Sequence, residues 1–166
     1  MEDAVSVIYH WKNILYGAIA YSVGDAIGAL ILAEFSIYRM AGIMLVAGTL
    51  YAMEASYCFR WIDARIPNNG KLVNAISRTA LMALYFNPLW IARHLFFIYL
   101  FSGNWNQINW ELVIMGMWSF MASLPIALPA NYLIQNKIPY HWRFFASGIF
   151  AALLAVYYAL TEVLFG

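Results

Sequence analysis

The sequence predicts an all-α, polytopic membrane bundle of about five transmembrane helices, in one integral membrane domain over residues 1–166. Three observations predict it. The first is composition: 64% of the residues are hydrophobic, 18% aromatic and only 10% charged, with a mean hydropathy of +0.69. A soluble domain carries about 25% charged residues, so this chain cannot cover a water-facing surface. The second is that the apolar residues gather in runs of about 20, the length that crosses a bilayer as a helix. The third is that lysine and arginine fall almost entirely between alternate runs. The same composition excludes a disordered chain. A formal net charge of +1 gives no basic excess to hold nucleic acid. The single cysteine, Cys58, excludes an intrachain disulfide and a cysteine-based metal knuckle.

The runs cover about residues 13–33, 40–61, 79–101, 111–135 and 142–165. Transmembrane strands would alternate polar and apolar residues over about ten positions. These runs are apolar on all faces, which favours helices. The first contains the small-residue step Gly24–Gly28, and such steps let helix backbones approach closely. Close packing and an unwound ligand loop are the two readings of that step. The fourth contains Pro125 and Pro129. Each removes a helix hydrogen bond and crowds the preceding turn, so a kinked or broken span is expected there. Glu2 and Asp3 open the chain, with Lys12 the only basic residue before the first run. That is neither a secretory signal nor a mitochondrial presequence.

With five spans, Lys12, Arg60, Arg65, Lys71, Arg78, Lys137 and Arg143 share one side, and Arg39 stands alone on the other. The positive-inside rule then puts the N-terminus and the 60–78 connection on the cytoplasmic-equivalent side. Trp11, Trp61 and Trp142 at one set of span ends, with Trp105 and Trp110 at the other, fit interfacial belts.

Three ionisable residues fall inside apolar runs: Asp25, Glu54 and Arg93, with His94 following the last. A charge at the bilayer centre costs about 2.5–3.5 kcal/mol on the insertion scale, so such residues face the bundle interior. They mark either a solute pathway or a buried pair that sets helix register. At about 1.5 Å per residue, Asp25 and Arg93 lie at similar depth and are expected to pair, with Glu54 nearer the surface and the alternative partner for Arg93. Ser119, Ser123, Asn131 and Gln135 share the fourth run with the prolines. They make it the candidate pathway-lining span, with interhelix hydrogen bonding as the alternative. No metalloprotease H-E-x-x-H, Walker loop or G-x-S-x-G occurs, and His10, His94 and His141 are isolated. No enzymatic activity, metal or cofactor is expected.

These residues resemble a pattern of the family of the mitochondrial protein called Mpv-seventeen and the peroxisomal 22-kilodalton membrane protein. Gly24-Asp25 looks like that family's first-span pair. Arg39, then Arg60, Asp63, Pro67 and Lys71, stand where the family has its basic residue and its aspartate–proline signature. Pro88, Leu124-Pro125, Asn131-Tyr132, Ile138-Pro139, His141, Arg143 and Tyr157 resemble its later motifs. The sequence departs from the family at Cys58 and Phe59, at Leu81 and Met82, and at Leu128, which replace its aromatic and polar positions. A second resemblance, to bacterial alanine exporters, rests on Phe86-Asn87-Pro88, Trp90, Gly103 and Trp105 to Ile108.

The family resemblance implies a channel or transport-associated protein, passing small solutes along a polar seam between helices. Asp25, Glu54, Arg93, Ser123 and Asn131 are its candidate pathway residues, and Gly24 and Gly28 its packing residues. Arg39, Asp63, Pro67, Pro125, Pro139 and Arg143 are the family-like positions. A secondary exporter of small amino acids and a non-transporting structural protein are the alternatives. The expected partners are the bilayer and a small solute, with a homo-oligomer left open. The expected membrane is a bacterial inner membrane or, in a eukaryote, the mitochondrial inner or peroxisomal membrane.

Overall fold

A computed structural model describes residues 11–165, leaving aside the side chains of 85–88 and 161–165. His10 and the acidic N-terminus lie outside the described residues, as do the side chains of Phe86, Asn87 and Pro88. Five stretches are long and apolar enough to cross a membrane. Helix α1 is Trp11–Ile31. The second span is continuous but composite: α2 (Ile37–Val46), a π-helical turn (Ala47–Tyr51) and α3 (Ala52–Arg65). Then come α4 (Leu72–Ser102), α5 (Glu111–Asn136) and α6 (Arg143–Phe165). Short 3₁₀ turns lie at Trp105–Gln107 and Tyr140–Trp142.

The surface is inside-out relative to a soluble bundle. Leu30, Leu45, Leu84, Trp118 and Leu153 are all more than half exposed, while Asp25, Arg39, Arg78, Gln135 and Arg143 are buried. In lipid, apolar side chains gain little by leaving their surroundings. Helices associate through close packing and internal polar bonds instead. Glycines supply the packing. A side chain on Gly24 would collide with the Ala152 backbone, and one on Gly17 with the Phe144 ring, so α1 and α6 lie in close parallel contact. Gly116 does the same for α5 against Ala92 of α4. Helix α1 runs without interruption through Gly24 and Gly28, which makes them packing residues and overturns the unwound-loop reading.

Two expectations are corrected in part. The fourth span is not broken: α5 continues through Pro125 and Pro129 from Glu111 to Asn136. Each proline frees only the carbonyl four residues back, and a membrane helix tolerates this where neighbouring groups surround it. The third span is longer than the apolar run: α4 has 31 residues, about 46 Å at 1.5 Å per residue. That exceeds a hydrocarbon core of about 30 Å. The left-handed Gly103, at φ 76°, ends α4, a conformation that glycine adopts without penalty.

Asn13 donates to the His141 carbonyl at 2.6 Å, and Arg143 bonds Asp63. The starts of α1 and α6 and the end of α3 therefore share one end of the bundle. Arg60, Arg65, Lys71 and Lys137 flank that end in sequence, and it is called here the basic end.

Candidate functional site

Two buried ionic layers and one small cavity make up the polar interior. The first layer is at the basic end. Asp63, two residues from the end of α3, receives both Arg143 and Arg78. Arg143 Nη1 reaches its two oxygens at 2.9 and 2.8 Å, and Arg78 Nη2 bonds Oδ1. Arg78 is only 1% exposed. It also donates to the carbonyls of Ile66 at 2.6 Å and Gln135 at 3.0 Å, and Arg143 Nε donates to that of Ile138 at 3.1 Å. One carboxylate and three chain carbonyls thus tie four helices together.

The second layer lies toward the opposite end. Arg39 of α2 grips Asp25 of α1 in a two-point bond, Nε to Oδ2 at 2.8 Å and Nη2 to Oδ1 at 2.7 Å. Such forked pairing is the strongest geometry an arginine offers a carboxylate. Each member has a second neighbour. His94 Nε2 stands 3.7 Å from Asp25, and Glu34 stands 3.8 Å from Arg39. Tyr51, turned inward by the π-helical turn and fully buried, places its hydroxyl 3.4 Å from His94 Nδ1. Single-turn π segments often occur at functional sites. His94 in turn stacks on Trp90, with ring centres 5.0 Å apart and planes 7° apart.

The expected Asp25–Arg93 pair is not formed. Arg93 instead binds Glu54, Nη1 to Oε1 at 2.9 Å and Nη2 to Oε2 at 2.6 Å, in a half-buried pair. The reason is rotational. Successive helical residues point about 100° apart, so Arg93 faces α3 while His94 faces α1. Arg39, counted in sequence as a connection charge, takes the place expected of Arg93.

The cavity, about 50 Å³, lies among α1, α3, α4, α5 and α6. Its polar lining comes from Trp90, Ser123, Asn131 and Ser147, beside Tyr21. Chain order brackets it between the ionic layers. On α4, its lining residues lie between Arg78 and Arg93-His94. Tyr21 precedes Asp25 on α1, and Ala55 precedes Asp63 on α3. On α5 and α6, its residues lie on the far side of Gln135 and Arg143 from the basic end. Ser123 donates to the Phe120 carbonyl at 3.0 Å. The indole N–H of Trp90 and the amide N–H of Asn131 are buried without a partner among the described residues.

Ser123 and Asn131 thus come together in one cavity, whereas Asp25, Glu54 and Arg93 stand in ion pairs outside its lining. Pro67 and Pro139 serve the basic end through their carbonyls. The first accepts from Asn74 at 3.1 Å and the second from the Trp142 N–H at 3.0 Å. A wide apolar groove of about 630 Å³ between α1 and α6, lined by Ile19, Val23, Phe145 and Leu153 among others, is separate from this polar interior.

Sequence reasoning missed Arg39 as a partner, together with Tyr51, His94, Arg78 and Trp90. For Arg39 the sequence held no signal: the connection 32–36 centres on residue 34, nine positions after Asp25 and five before Arg39.

No family model matches the chain, and no curated protein or solved structure matches it either.

Proposed function

We propose that the protein is a small membrane transporter for small solutes, whose two ionic layers act as alternate gates around the central cavity. The observation that carries this reading is the order of groups along the helices: ion pairs, then a small, mainly apolar cavity holding a few polar groups, then ion pairs. A permanently open channel needs a polar path to both faces. A cavity of about 50 Å³ with ionic layers on both sides fits an occluded state better. The resemblance to the Mpv-seventeen family supports transport of small solutes in general terms.

Gating also needs an affordable way to part a buried pair. Removing one partner from such a pair costs about 3–5 kcal/mol, because a bare charge is left behind. At the Asp25–Arg39 layer each freed group has a second polar neighbour. Glu34 waits 3.8 Å from Arg39 and His94 waits 3.7 Å from Asp25. Exchange of partners lowers the cost of parting the pair, as a two-state equilibrium requires. In the orientation the lysines and arginines favour, the basic end faces the cytoplasm or its equivalent.

Reconstitution into liposomes tests the reading. Flux of a panel of small solutes above that of empty liposomes is the expected result, with reduced flux when Arg39 and Asp25 are cross-linked as a cysteine pair in a Cys58→Ala background. Flux no greater than that of empty liposomes for the whole panel would leave a structural membrane protein. The internal pairing of Asp25 with Arg39 and of Asp63 with Arg78 and Arg143 is the observation that favours that second reading. Cysteine labelling at Asn69 and Asn104 tests the topology, and labelling of both from one side would contradict it.

A further inference from the structure

The central cavity contains a hydrogen-bonding imbalance. Trp90 Nε1 and Asn131 Nδ2 are donors without acceptors among the described residues, and both residues line the same space. More than nine in ten buried polar groups in folded proteins have a partner. Two orphaned donors at one cavity therefore point to a missing acceptor. Ser123, 3% exposed, lines the cavity too, but its hydroxyl is already engaged, with the Phe120 carbonyl and with the Tyr158 side chain. The wall thus offers two free donors.

Charge narrows the ligand further. No Asp, Glu, Lys, Arg or His is among the residues that line the cavity. The nearest ionic groups are already matched, Asp25 to Arg39 and Glu54 to Arg93. An ion brought here would lose its hydration with no counter-charge to replace it, which is prohibitive beside the cost of moving a neutral polar group. Size narrows it again. A water needs about 10–15 Å³ measured this way, so about 50 Å³ holds a solute of three or four heavy atoms.

We infer that the cavity is a binding site for a small uncharged polar solute, whose acceptor oxygen is held by the Trp90 indole N–H and the Asn131 amide. A small carbonyl compound supplies such an oxygen. The inference deepens the transport reading by naming its solute class, but binding itself does not depend on transport.

Isosteric pairs test it: formamide against formate, and urea against guanidinium. The protein is labelled with ¹⁵N-tryptophan in detergent micelles, and the Trp90 indole signal among the seven tryptophans is assigned through Trp90→Phe. Formamide and urea are expected to shift that signal saturably, while formate and guanidinium leave it in place. Asn131→Leu, which removes an unpaired donor, should fold at least as stably as the parent and weaken the response about tenfold, the effect of one hydrogen bond. A formate response equal to that of formamide would overturn the uncharged class. No saturable shift with any of the four compounds would overturn the site, whatever a flux assay gives. A saturable formamide shift in a protein without flux would support the site and remove the transport reading alone.

Discussion

At the basic end one carboxylate serves two arginines, and toward the opposite end one carboxylate serves a single arginine. Asp63 holds Arg78 and Arg143, which also spend donors on the carbonyls of Ile66, Gln135 and Ile138. Those carbonyls sit at helix ends and in connections, so the cluster fastens chain segments as well as charges. Asp25 and Arg39 make no such bonds to chain carbonyls among the described contacts, and their spare neighbours are the side chains of His94 and Glu34. A layer tied to the backbone can open only if helix ends move. A layer tied by side chains can open by exchanging partners. The two layers therefore differ in what their loss does to the fold, and they need not open by the same motion.

The largest effect is expected from Asp63→Asn. It leaves two buried guanidiniums without a counter-charge, and removing one partner of a single buried pair already costs about 3–5 kcal/mol. Loss of the monodisperse peak on size-exclusion chromatography in detergent is the expected outcome. A thermal midpoint within a few degrees of the parent would show that water at the basic end already solvates the cluster.

The Asp25–Arg39 layer should behave differently. Asp25→Asn and Arg39→Met are each expected to destabilise, by less than Asp63→Asn because each leaves one bare charge rather than two. The double variant should be more stable than the sum of the single losses predicts, since it leaves no bare charge. A double-mutant cycle on unfolding in detergent measures this coupling, expected in the range of about 0.5–3 kcal/mol for groups in contact. Additive losses would mean that the pair is not formed in solution.

A smaller effect is expected from Gly24→Ala. The added methyl meets the Ala152 backbone, and such overpacking typically costs about 1–3 kcal/mol. Because Gly24 precedes Asp25, the shift of α1 away from α6 should perturb the Asp25–Arg39 layer and leave the basic end intact. A thermal midpoint lowered equally by Gly24→Ala in the parent and in the Asp25→Asn/Arg39→Met background would separate the packing role from the ionic one.

The five spans, and the ends of the first, fourth and fifth, were legible in the sequence because hydropathy and charge report depth, whereas α4 starts seven residues before its apolar run. Span 111–135 is observed as Glu111–Asn136, and 13–33 as Trp11–Ile31. Which charge meets which was not legible, because pairing depends on rotation about each helix axis, and an all-round apolar helix carries no rotational signal. Arg93 and Arg39 show the consequence: depth alone selected the wrong arginine for Asp25. The π-helical turn adds to the difficulty. It shifts the facing of every residue after Ala47, which helps bring Tyr51 inside, and no proline or glycine cluster announces it. Ser123 and Asn131 were found as polar residues in an apolar run, but Trp90, their neighbour at the cavity, entered only through the second resemblance, with nothing to tie it to a cavity.

The central claim is that the two ionic layers seal one cavity from opposite sides. Ser147 lines that cavity, and Ser147→Cys in a Cys58→Ala background supplies a thiol there. The protein is placed in liposomes of known orientation, and a membrane-impermeant thiol reagent is added to one face at a time. The account predicts slow labelling from both faces in the parent. With Asp25→Asn and Arg39→Met added, labelling should rise at least about tenfold from the face opposite the basic end, the change expected if a gate worth 1.4 kcal/mol is removed. Labelling from the basic face should stay unchanged. An equal rise from both faces, or no rise from either, would contradict it.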